Sequence, residues 1–141
     1  MIDTKLNEKS LYKRLRRRAI RSRSKVVLDG KGGGCEDRSD PRIRVKNATP
    51  ARLIELSRGG AAVFTEAPLC MGESLALTLT LGKGGPLRAV GEVIGGKKVE
   101  KHGGYLAKFK FLCPKPEHVE TIDRFLVEID SEVAQKMRMV L

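Results

Sequence analysis

The sequence predicts a small, mainly β domain, a barrel or sandwich of short antiparallel strands followed by one C-terminal helix. Three observations point there. Leu75–Leu81 reads Leu-Ala-Leu-Thr-Leu-Thr-Leu, a period of two that a half-buried strand requires. About six short apolar segments are separated by Gly- and Pro-containing turns at the spacing of an all-β fold. After Pro116 the period changes: Val119, Ile122, Leu126, Ile129, Val133, Met137 and Val140 recur in steps of three and four, as on an amphipathic helix.

Taken in order, residues 1–23 form a basic arm with some helical character, whose Leu6, Leu11, Leu15 and Ile20 are too few for an independent core. The β unit is expected over 24–116. Residues 25–28 begin a strand, and Asp29–Pro41 is loop by its Gly and Asp content. Strands are expected over 42–46, 51–56, 61–64, 75–81, 87–94 and 104–112. Gly82–Pro86 is a hairpin turn, and Gly95–Gly103 is a polar turn. Helix 117–141 follows, with Pro116 at its start, where a missing N–H costs nothing. Twenty-five helical residues extend roughly 37 Å, more than a small barrel covers. Either the tip frays or the second half, through Ile129, Val133, Met137 and Val140, meets another subunit.

Of 141 residues, 28 are Lys or Arg and 17 are Asp or Glu. Residues 1–25 hold ten of those cations against two acids, while the remainder, 18 against 15, is nearly balanced. A basic block of this kind favours polyanionic or phosphorylated partners, or it is simply a solvated tail. Cys35, Cys70 and Cys113 are odd in number and widely spaced, which argues for plain thiols in a reducing compartment. No apolar run approaches the roughly 20 residues of a membrane span, and a cytoplasmic protein is expected. His102 and His118 are isolated, Lys83 lacks the Ser/Thr of a phosphate loop, and no nucleophile–base or paired-carboxylate set stands out. A binding protein, not an enzyme, is expected, with no cofactor.

Glu55-Leu-Ser-Arg-Gly-Gly60, entered from a strand and left through Ala-Ala-Val-Phe64, resembles the second motif of PilZ domains, an Asp or Asn followed by x-Ser-x-x-Gly. Upstream, Arg17-Arg-Ala-Ile-Arg21 resembles that family's Arg-x-x-x-Arg motif, with Arg16 completing a doubled arginine. The resemblance runs from about Arg16 to Glu128. It implies a six-stranded antiparallel β-barrel with a C-terminal α-helix, acting as a receptor for the second messenger cyclic di-GMP. The implied ligand residues are Arg17, Arg21, Glu55, Ser57 and Gly60.

The chemistry of such a site is plain. A guanidinium pairs bidentately with phosphate oxygens or a guanine edge and stacks on a base. Ser57 offers a hydroxyl, Gly60 permits close backbone approach, and a carboxylate at 55 accepts bonds from guanine N–H groups. Two departures stand out. Position 55 is Glu, not Asp or Asn, and the interval from Arg21 to Glu55 is long. Arg14/Arg18 and Arg38/Arg42 are competing frames, and Arg17/Arg21 is preferred because it leaves room for a strand pair. Two other readings remain: a nucleic-acid binder using the basic arm, which lacks aromatic platforms, and a PilZ scaffold that binds only protein.

Overall fold

Leu75, Leu77, Leu79 and Leu81 all turn inward and are buried, while Thr78 and Thr80 between the last three are half-exposed. That alternation places one strand face on a core, and five further strands complete the wall around it. The computed structural model describes residues 4–29, 49–99 and 103–140. Its elements are α1 (Thr4–Ser22), β1 (Ser24–Asp29), β2 (Thr49–Leu56), β3 (Gly60–Thr65), β4 (Ser74–Leu81), β5 (Leu87–Val99), β6 (Gly104–Phe111) and α2 (Pro116–Val140).

The strands close a barrel in the order β1-β2-β3-β6-β5-β4, every neighbouring pair antiparallel. Closure leaves no sheet edge to pair with another chain. Of the two architectures open from the sequence, the barrel is found. The strand expected over 42–46 lies outside the described residues. One turn is corrected: Gly95–Val99, expected in a polar turn, continues β5 and pairs with β6 from Lys108 back to Gly104. Gly96 is tolerated there because a Cβ would stand 2.9 Å from the Leu106 carbonyl oxygen. The two strands approach too closely for a side chain.

Two bulges aim side chains that matter below. Register shifts between Leu53 and Glu55 in β2 and between Val93 and Gly95 in β5. An extra residue lets Leu53 and Leu56, three apart, both turn inward and leaves Ile54 and Glu55 outside the core. In β5 the same device buries Val93 and leaves Ile94 half-exposed.

The helices cap the barrel together. α2 buries Ile122, Phe125, Ile129 and Val133; three of these belong to the stripe expected from the period, while Phe125 is buried beside a half-buried Leu126. Acidic Glu117 stands in its first turn and basic Arg138 in its last, each suited to the helix dipole. Ile129 and Val133 are covered within the chain. α1 packs along α2 and over β2, Ala19 and Ile20 are fully buried, and Leu15 and Met137 pack against the same core. Among the described large apolar residues of α2, Val127 and the tip's Met139 and Val140 stand in solvent. The basic arm is therefore the second half of the cap. An ion pair and a hydrogen bond reinforce it: Arg23 Nε donates to Glu132 Oε2 at 2.9 Å, and the Tyr12 hydroxyl donates to Asp130 at 3.2 Å.

Cys70, expected to be a plain thiol, is disulfide-bonded, whereas Cys113 is free and exposed. Spacing along a sequence detects frameworks of near neighbours, not cysteines that folding brings together. The cysteines therefore lend no support to a reducing compartment. Among the described residues no helix is long and apolar enough to cross a membrane.

Candidate ligand-binding groove

The β2–β3 hairpin is tight. Leu56 pairs with Ala61, Ser57 N–H donates to the Gly60 carbonyl at 2.9 Å, and Arg58 and Gly59 form the tip. The tip is tied down on both sides: Phe111 N–H donates to the Gly59 carbonyl at 2.8 Å, and Arg58 pairs with Asp123 of α2 at 2.7 Å. The Ser57 hydroxyl is exposed and makes only a long 3.4 Å contact with the Gly60 carbonyl, so it is available to an incoming group.

Gly60 is needed for a reason the sequence does not reveal. A Cβ there would lie 2.1 Å from the Phe109 carbonyl oxygen and 3.2 Å from its carbon. Here β3 meets β6 backbone to backbone. The glycine is required by the barrel itself, whatever it does for a ligand.

Beside this turn, the outer wall of the barrel forms a groove of about 340 Å³ lined by Glu55, Ser57, Gly59, Gly60, Ala62, Ile94, Lys108 and Lys110. That volume falls at the lower end of ligand sites. The groove exists because its cross-strand neighbours are small. Gly60 faces Lys110, Ala62 faces Lys108, and Gly95 flanks Lys108 from β5. Three of the expected residues, Glu55, Ser57 and Gly60, thus share one concavity.

Arg17 and Arg21 are not among its lining residues. Helical phase explains why. Arg16 shares the inner face of α1 with Ala19 and Ile20, and at 100° per residue Arg17 and Arg21 turn towards solvent, where both are exposed together with Arg14 and Arg18. The arginine that meets the motif is Arg16. Its Nε donates to Glu55 Oε1 at 2.9 Å and its Nη1 to Asp130 Oδ1 at 2.6 Å. Burial pulls the Arg16 guanidinium's pKa down, but the bond to Glu55 and the charges of Glu55 and Asp130 outweigh it, and the net shift is upward.

Sequence reasoning noticed Arg16 only as an adjunct and missed Ile94, Lys108 and Lys110. The alternation of β6 does place both lysines on its outer face. Nothing local reveals that β3 lies beside them. Among the described residues no cluster of His, Cys, Asp and Glu capable of holding a metal occurs.

A six-stranded barrel under a two-helix cap, with an outer groove beside a Ser-Arg-Gly-Gly turn, defines the class of small closed β-barrel domains. The PilZ domain family model matches residues 15–128, and the chain belongs to that family. Among solved structures it is similar to YcgR from Escherichia coli in complex with c-di-GMP (TM-score 0.59, 19% identity, covering 83% of this chain and 46% of that one). It is also similar to the PilZ domain of YcgR with c-di-GMP (TM-score 0.55, 19% identity, 82% and 88% covered). A third is MrkH from K. pneumonia (TM-score 0.58, 16% identity, 81% and 47% covered). The chain thus spans about half the length of YcgR and MrkH. No curated protein matches it.

Proposed function

We propose that this chain is a cyclic di-GMP receptor module, a binding protein of second-messenger signalling with no catalytic role. The observation that carries the reading is that Glu55, Ser57 and Gly60 line one outer groove in a chain of the PilZ family. Two of the structures it resembles are described as holding c-di-GMP. In this reading Arg17 and Arg21 close over the ligand from α1, which needs the end of that helix to shift. Ser57 binds the ligand through its hydroxyl, and Glu55 takes a guanine edge through Oε2 while Arg16 holds Oε1. A downstream protein partner reads the shifted cap.

A second reading has an observation of its own. Glu55 is already engaged by Arg16, as it would be in a scaffold that binds only protein. Nucleic-acid binding rests on the exposed Lys9, Lys13, Arg14, Arg17, Arg18 and Arg21 of α1. One calorimetric series with cyclic di-GMP, GTP and duplex DNA separates the three. A clamp on about six phosphates loses affinity with a log–log salt slope near −5, whereas a ligand with two phosphates loses far less between about 50 and 200 mM salt. Selective, salt-tolerant heat from cyclic di-GMP is expected. Tight DNA binding without such heat, or no heat from any of them, overturns the receptor reading.

A further inference from the structure

We propose that Lys108 and Lys110 form a phosphate subsite on β6, taking the phosphodiester groups of a cyclic dinucleotide laid in the groove. This rests on the receptor reading and adds a part of the site that neither sequence motif contains. Both lysines alternate with buried Ala107, Phe109 and Phe111, so both side chains leave from the outer wall, their Cα atoms about 6.5 Å apart along the strand.

Their surroundings favour an anion. Among the described residues neither lysine makes an ion pair or side-chain hydrogen bond. Glu92, directly across from Lys110 on β5, forms none with it. Their other neighbours, Gly60, Ala62 and Gly95, leave room for a ligand to lie against the strands, with Ile94 offering an apolar surface to a base.

Neither nearby arginine supplies this charge: Glu55 and Asp130 share Arg16, and Arg58 pairs with Asp123. With Glu55 Oε1 held by Arg16, Lys108 and Lys110 are the unpaired cations of the groove lining among the described residues, equal in number to the two phosphodiester charges. A lysine ammonium carries three donors on a flexible stem, so each can follow a phosphate without backbone movement.

The test is calorimetric titration of the full chain with cyclic di-GMP. Lys108→Gln/Lys110→Gln is compared with wild type, with Lys108→Arg/Lys110→Arg, and with Lys83→Gln/Lys115→Gln. The last pair removes the same charge from exposed positions outside the groove. The Gln pair is expected to weaken binding at least about tenfold, as the loss of one charge-assisted bond would. The Arg pair should keep affinity within about threefold and the control pair within about twofold, since surface charges beyond a Debye length are screened. Wild-type binding that the Gln pair leaves intact, or that the control pair weakens equally, overturns the subsite while the receptor reading stands. No heat from wild type overturns both. Backbone amide shifts on wild type give an independent readout. Shifts centred on 108–110 support the subsite, and shifts sparing β6 overturn it.

Discussion

Arg16 and Glu55, 39 residues apart in sequence, are joined by a 2.9 Å bond between the guanidinium Nε and the carboxylate Oε1. The same guanidinium reaches Asp130 of α2, so one side chain connects the rim of the groove to both cap helices. A change at Glu55 is therefore transmitted to the α1–α2 pairing by one contact.

Arg16→Ala should lower stability by about 1–2 kcal/mol, since it breaks two charge-assisted bonds at a partly exposed site. A double-mutant cycle with Glu55→Ala should show coupling of about 1 kcal/mol. Additive effects in urea denaturation would mean the bridge contributes nothing in solution.

For ligand binding, Arg17→Ala and Arg21→Ala should each cost about 1.5–3 kcal/mol, as for hydrogen bonds to charged groups, whereas Lys9→Ala should change little. Glu55→Asp should preserve or improve affinity and Glu55→Lys should abolish it. Equal losses at all the arm positions in calorimetry would reduce α1 to a diffuse charge.

Gly60→Ala should destabilise the chain by about 2–3 kcal/mol, because the new methyl runs into the Phe109 carbonyl at 2.1 Å. Gly59→Ala, with nothing within 4 Å of its Cβ, should stay within about 0.5 kcal/mol. Denaturation midpoints of the two variants decide this without any ligand.

Ile129→Ala, at a site with no exposed surface, should cost about 2–5 kcal/mol, and Val140→Ala at the solvent-exposed tip less than about 0.5 kcal/mol. Deleting 130–141 removes Val133, one of the two ion-pair partners of Arg16, and the partner of Arg23. Its main effect should be lost stability, with the mass in light scattering unchanged. A fall in mass without a fall in stability would restore the subunit contact to this helix.

Burial alone raises the Glu132 carboxyl's pKa, but the bond to Arg23 and the charge of Lys136 outweigh it and hold the group below its ordinary 4.5. A carboxyl whose pKa is lower folded than unfolded binds more protons when unfolded. Its contribution is full above the unfolded value and disappears as pH falls through the folded one. The difference in melting temperature between wild type and Glu132→Gln should therefore be steady from pH 7 down to about 5 and close below about 4.5. A difference that ignores pH would mean the pair is not formed.

The sequence by itself determined what depends on neighbours along the chain. The Leu-Thr alternation of 75–81 requires a strand, the three-and-four spacing of Ile122 to Val133 requires a helix, and Ser57–Gly60 requires a turn, because strand, helix and turn each place side chains at a fixed local interval. The family's two motifs were legible in the same way. Tertiary structure decided what depends on partners distant in sequence. It wrapped α1 over the helical stripe, so that Ile129 and Val133 are covered within the chain. It also paired Cys70, ran β5 on through Gly95–Val99, and joined Glu55 to Arg16. The groove belongs to the second kind. Its floor joins β3, β5 and β6, which only barrel closure brings side by side, so Lys108 and Lys110 read locally as two more solvated charges.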